Sequence, residues 1–132
     1  MTAPAEIVIL SSSGESPDFV SVGTVTIDSY GVFMEYDESS LSGMDGTVTR
    51  IGVSEKVVTV NRMGQYVHTL VFEEGREFSA QLLTPFGSTE ITVVPLTVFT
   101  QVKDGCIEVN LEYSLVTAGD SSKNSLRILC TY

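Results

Sequence analysis

Four side chains in this 132-residue chain combine a charged or proton-bearing group with a position among apolar neighbours: Tyr36, Glu38, Arg62 and His68. Arg62 follows Val58 and Val60 at two-residue spacing, and Glu38 follows Val32, Met34 and Tyr36. In an extended chain each charge therefore shares the face of its apolar neighbours, and each ends its run beside a turn. An inward-facing Arg62 would pair with Glu38 or Glu35 in a partly buried setting, with Tyr36 supplying a hydroxyl. One reading is a structural ion pair at a rim. The functional reading is an arginine that holds a carboxylate-bearing ligand through two parallel hydrogen bonds. His68 shares a face with Tyr66, Leu70 and Phe72. There it serves either as a core histidine with a hydrogen-bond partner or as a ligand contact.

Other chemistries find little footing. His68 is the single histidine, so no multi-histidine metal site is available. No spacing draws it together with Cys106 and Cys130 as zinc ligands. The chain has no glycine-rich phosphate loop, nucleophile elbow, metalloprotease helix motif or calcium loop. No catalytic residue, metal or cofactor is assigned from the sequence. Carboxylates do occur in pairs, at Glu35 and Asp37, Asp37 and Glu38, Glu73 and Glu74, and Glu108 and Glu112. Most fall at predicted turns or outer faces, where water is the ordinary partner.

Seventeen acidic against seven basic residues give a net charge of -10. That field repels phosphate backbones and anionic lipid, which argues against nucleic acid and membrane surfaces as partners. The first ten residues lack a basic segment and a full signal-peptide apolar run, and no stretch approaches the roughly 20 apolar residues of a membrane helix. A cytoplasmic location is expected. Cys106 and Cys130 lie far apart within strand patterns, as two small buried thiols or, alternatively, a cross-strand disulfide.

The elements that must position Arg62 and its companions are short strands. Glu6 to Leu10 is an apolar run, followed by a turn-forming loop over Ser11 to Asp18. Phe19 to Asp28 alternates, and its small residues Ser21 and Gly23 predict a bend or close packing. Val32 to Glu38 follows the Ser29-Tyr30-Gly31 turn, and a polar connection runs from Ser39 to Asp45. Thr47 to Val53, Val57 to Arg62 and Gln65 to Glu73 are the next strands, separated by Ser54-Glu55-Lys56 and Met63-Gly64. Glu74-Gly75 reads as a two-residue hairpin connection. Phe78 to Thr84 leads into a Thr84-Pro85-Phe86-Gly87 turn. Thr89 to Thr100 is interrupted by Pro95, which cannot donate to a ladder and predicts an edge, bulge or break. After Asp104-Gly105, residues from Ile107 to Leu115 alternate strictly, and beyond a connection over Ala118 to Lys123 the face Leu126, Ile128, Cys130 closes the chain.

About nine or ten strands joined by short connections favour an antiparallel meander, and closure into an up-and-down barrel removes its exposed edges. A two-sheet sandwich is the alternative architecture. Either way the 132 residues form a single domain.

Several segments carry a family resemblance: Tyr36-Asp37-Glu38, Val60-Asn61-Arg62-Met63-Gly64, Phe72-Glu73-Glu74-Gly75, Leu83-Thr84-Pro85-Phe86-Gly87, Leu111-Glu112-Tyr113-Ser114-Leu115 and Asn124-Ser125-Leu126-Arg127-Ile128. In their order and spacing they resemble the DUF1934, or YwiB-like, family of small bacterial proteins. The resemblance implies a lipocalin-like (calycin) β-barrel and brings no activity or site. Three function readings follow. The first is a non-enzymatic barrel binding a small, partly apolar or carboxylate-bearing ligand, oriented by Arg62 with Tyr36, Glu38 or His68. The second is a solid barrel whose outer faces form a homodimer or partner interface. The third is an enzyme using rim carboxylates as acid and base.

Overall fold

A computed structural model describes residues 1–11, 19–38 and 45–132, and all regular structure in them is β-strand. The connections predicted over residues 12–18 and 39–44 lie outside the described residues. The described residues form ten strands: β1 (Thr2–Ser11), β2 (Phe19–Asp28), β3 (Gly31–Asp37), β4 (Thr47–Ser54), β5 (Val57–Gly64), β6 (His68–Glu73), β7 (Phe78–Thr84), β8 (Gly87–Lys103), β9 (Cys106–Thr117) and β10 (Asp120–Thr131). They form one antiparallel sheet in the order β6-β5-β4-β3-β2-β1-β10-β9-β8-β7. The first and last strands pair in its middle, from Glu6 opposite Thr131 to Ser11 opposite Leu126.

The outermost strands β6 and β7 meet again through an isolated bridge between Val67 and Leu83. Those two residues exchange both backbone hydrogen bonds at 2.9 Å. The meander thus curls into a nearly closed up-and-down barrel with one thinly joined seam. The expected Glu74-Gly75 hairpin forms its turn, with a bridge between Glu73 and Arg76, but no ladder zips β6 to β7 beyond it. Past Pro95 the register of β8 shifts against β9, and the Val98 N–H donates to Glu74 Oε1 at 2.9 Å. The β7–β8 ladder ends at Phe78 opposite Val93, so this stretch of β8 has no strand partner on that edge, and the turn carboxylate accepts the hydrogen bond instead.

Strand alternation explains the core. Ile7, Val25, Met34, Ile51, Val58, Phe72, Val93, Ile107, Leu111 and Ile128 are all buried and pack into one apolar cluster inside the barrel. Directly paired residues face the same way, so a buried residue on one strand places its cross-strand partner in the interior as well. Several boundaries differ from the sequence reading. β5 runs through Met63 to Gly64, and the turn falls over 65–67. Pro95 bulges β8 without breaking it. The β9–β10 connection shrinks to Ala118-Gly119, both at positive φ (51° and 86°). That is the twist which suits two-residue hairpins.

Candidate functional site

The four residues singled out from the sequence come together at one end of the barrel. Tyr36 lies opposite Thr49, Thr49 opposite Arg62, and Arg62 opposite His68. A single lateral row across β3, β4, β5 and β6 therefore carries a phenol, a hydroxyl, a guanidinium and an imidazole into the interior. Glu38 joins from one step further along. Its N–H donates to the Thr47 carbonyl at 2.7 Å, which extends the β3–β4 ladder and preserves the inward parity of Val32, Met34 and Tyr36. The chain next to this row needs a glycine. A Cβ on Gly23 would stand 2.0 Å from the Glu35 carbonyl oxygen and 3.0 Å from Tyr36 Cβ. The close packing expected at Gly23 is the approach of β2 to β3 beneath Tyr36.

Glu38 is the most deeply sealed charge, with its side chain at 0% exposure. Its Oε1 accepts a hydrogen bond from Thr49 Oγ1 at 2.5 Å and lies 3.7 Å from Arg62 Nε. The latter distance is a charge contact and too long for a hydrogen bond. Arg62 Nη1 donates to His68 Nε2 at 2.7 Å. Because a guanidinium only donates, Nε2 must be the accepting nitrogen, and the imidazole proton sits on Nδ1. Three buried atoms of this cluster have no hydrogen-bond partner among the described residues: Glu38 Oε2, Arg62 Nε and His68 Nδ1. Glu35, the other candidate partner for Arg62, is exposed on the outer face of β3, as is Asp37. The carboxylates of this segment therefore point to opposite sides of the sheet and form no interior pair.

Thr49 and Tyr113 were not singled out from the sequence. Thr49 is fully buried and links Glu38 to the row. Its signal was available in the alternation Thr47, Thr49, Ile51, Val53. Tyr113 reads as one apolar step in β9, yet its ring meets Phe72 edge-on at 5.0 Å and its hydroxyl feels the Arg62 charge. Only the barrel's curvature brings β9 to face β5 and β6. Beyond the hairpin that Arg62 and His68 close, Asp45, Gly46, Gln65, Tyr66, Pro85 and Phe86 line an open groove of about 520 Å³. Tyr66 is held there by its N–H, which donates to Thr47 Oγ1 at 3.1 Å. Among the described residues no three His, Cys, Asp or Glu side chains converge as metal ligands.

A family model described as "Domain of unknown function (DUF1934)" matches residues 7–128. The chain belongs to this family. The crystal structure of the ywiB protein from Bacillus subtilis is similar to this DUF1934 chain, with a TM-score of 0.85 and 17% identity over 98% of this chain and 92% of that one. At that identity the likeness shows the shared barrel fold alone. No curated protein matches the sequence.

The electrostatics of this DUF1934 site favour a neutral histidine. Burial first, and the Arg62 guanidinium second, pull the His68 imidazole down to about 4 from 6.5. Burial and the neighbouring Glu38 charge push the Tyr36 phenol well above its usual range. For His68 the folded state binds fewer protons than the unfolded chain between pH 6.5 and 4. Stability contributed by the neutral form is therefore complete above the unfolded value and declines as pH falls through that window. At pH 5 the loss relative to pH 8 is about 2 kcal/mol from this group. Urea titrations at both pH values should show His68→Gln escaping that part of the acid loss, and equal acid sensitivity of the two proteins would refute the assignment.

Cys106 is exposed and Cys130 buried, and both thiols are free. Cys130 pairs with Ile107 on the inner face, whereas Cys106 pairs with Thr131 on the outer one. The alternative of a cross-strand disulfide is thereby set aside. Burial pushes the Cys130 thiol up to about 11, and the thiolate is the reactive form. A thiol reagent at pH 8 should titrate one cysteine quickly in the native protein and two after denaturation; two fast thiols in the native protein would contradict this burial.

Proposed function

We propose that this barrel is a non-enzymatic binding protein for a small, partly apolar ligand, oriented by Arg62 with Glu38, Tyr36 and His68. The observation that carries the reading is the buried Glu38–Arg62–His68 cluster, in which three polar atoms have no partner among the described residues, at one end of a largely apolar barrel interior. Unsatisfied buried groups cost about 1–3 kcal/mol each, and a fold tolerates them where something else benefits. The outward Glu35 and Asp37 weigh against an acid–base pair at this end. Two free thiols suit a reducing compartment, and we assign the protein to the cytoplasm. The net charge of -10 supports a partner other than nucleic acid or an anionic membrane surface.

Native mass spectrometry of freshly purified protein tests the reading. The expected result is a population heavier by one small molecule that denaturation releases. A bare chain from several preparations, with no small apolar compound bound on addition, would overturn it. The homodimer reading retains one specific support, the exposed Val20 and Val22 on the outer face of β2, at 58% and 79%. Light scattering across micromolar concentrations separates it from a monomeric binder.

A further inference from the structure

The geometry points to an uncharged amphiphile as the ligand: a polar head of the primary-amide type at Glu38, Arg62 and His68, and an apolar tail in the Tyr66–Pro85–Phe86 groove. This inference rests on the binding reading above and specifies the ligand class. The first argument is charge. Glu38 is sealed from water and already stands 3.7 Å from Arg62 Nε. A ligand carboxylate would put two buried anions against one guanidinium, and one of them would have to take up a proton. An ammonium head would instead face the Arg62 cation. Neither sign is accommodated without rupturing the existing pair, so the head that fits carries no net charge.

The second argument is hydrogen-bond complementarity. Of the three partnerless atoms, Arg62 Nε–H and His68 Nδ1–H are donors, and Glu38 Oε2 is an acceptor. The Nδ1 proton follows from Nε2 accepting from Arg62. A primary amide matches this set, because its carbonyl oxygen accepts two N–H bonds while its NH2 group donates to a carboxylate. A carboxylate head lacks the donor. An aliphatic chain without a polar head leaves all three atoms unpaired.

The third argument is the path of the tail. Arg62 and His68 form the last pair of the β5–β6 hairpin. The residues this pair encloses include Gln65 and Tyr66, which line the groove together with Pro85 and Phe86. Phe86 is 92% exposed, and Val67 and Leu83, which follow Tyr66 and precede Pro85 in the chain and pair with each other across the seam, are also substantially exposed. Large apolar side chains left exposed beside this groove have a use if a chain lies along it.

Octanamide and octanoate, which differ only in the head, provide the test by isothermal titration calorimetry at pH 8. Octanamide is expected to bind about tenfold or more tightly than octanoate. Phe86→Ser, at a position too exposed to matter for folding, should weaken octanamide about fivefold through lost tail contact. Octanoate binding equally or better would overturn the uncharged head and leave the binding barrel standing, with Arg62 as an anion anchor. An unchanged octanamide affinity in Phe86→Ser would overturn the tail placement. No binding of either compound, with bare protein in the mass spectrum, would remove this inference together with the reading beneath it.

Discussion

Replacing Arg62 by Met should destabilise the protein by about 3–5 kcal/mol, because it leaves a fully buried carboxylate without its cation. The cost is asymmetric across the pair. Glu38 has 0% side-chain exposure, whereas Arg62 keeps 18% and can turn part of its charge toward water. Glu38→Gln should therefore cost less, about 1–2 kcal/mol, most of it from the altered hydrogen bond with Thr49. The double variant should be more stable than Arg62→Met alone, since the charge that suffers from the first change is removed by the second. Urea unfolding of the four proteins at pH 8 gives the coupling energy directly. Strict additivity would mean that the 3.7 Å contact carries no energy, and the assignment of Arg62 as the counter-charge of Glu38 would fail.

Gly23→Ala should cost about 3 kcal/mol, at the upper end of what overpacking exacts, although a single methyl group is added. Its Cβ would stand 2.0 Å from the Glu35 carbonyl oxygen, which is main chain and cannot swing aside. Relief requires β2 and β3 to separate, and Tyr36, whose Cβ is 3.0 Å away, moves with β3. Gly75→Ala is the informative comparison. Nothing lies within 4 Å of its Cβ position, but its φ is +77°, so its cost is conformational, about 1–2 kcal/mol. Equal losses in the two variants would show that backbone freedom, and not the approach of the two strands, is what Gly23 supplies.

How much of this site could be read from the chain depended on the range of the interaction involved. Strand parity is local, and it placed Glu38, Tyr36 and Arg62 on inward faces and Glu108 and Glu112 on another. Glu38 and Glu35 stood as alternative partners for Arg62, and because parity puts them on opposite faces of the sheet the choice was settled by the face that Arg62 takes. The strict alternation of β9 and the turns at Asp104-Gly105 and Thr84 to Gly87 were likewise legible. Tyr113 was not, because its meeting with Phe72 depends on how far the sheet curls. The β6–β7 seam was invisible for a related reason. Glu74-Gly75 has the composition of a hairpin, and how far its ladder runs depends on the course of the curled sheet, which brings the Glu74 carboxylate to the Val98 N–H on β8. The extension of β1 back to Thr2 was missed because Thr2 to Ala5 carries little apolar signal. It is fixed by pairing to β2, from Thr2 opposite Thr26 onward.

The pairing of β1 with β10 has a kinetic consequence. Every other ladder in the sheet joins strands that follow one another along the chain, and can form while the rest is still unfolded. The β1–β10 ladder alone brings together the two ends of the chain, so it pays nearly the whole loop-closure entropy of the molecule. Meanders from β1 to β6 and from β7 to β10 can assemble as separate curls, and the barrel acquires its shape when β1 of one docks on β10 of the other. A rearranged chain that begins at β7, ends at β6 and links Tyr132 to Met1 would have its strands in the same order along the chain as across the sheet. In such a chain the long β1–β10 ladder becomes local and only the short Val67–Leu83 seam is left to join distant strands among the described residues, while the same interior row of Tyr36, Thr49, Arg62 and His68 is kept.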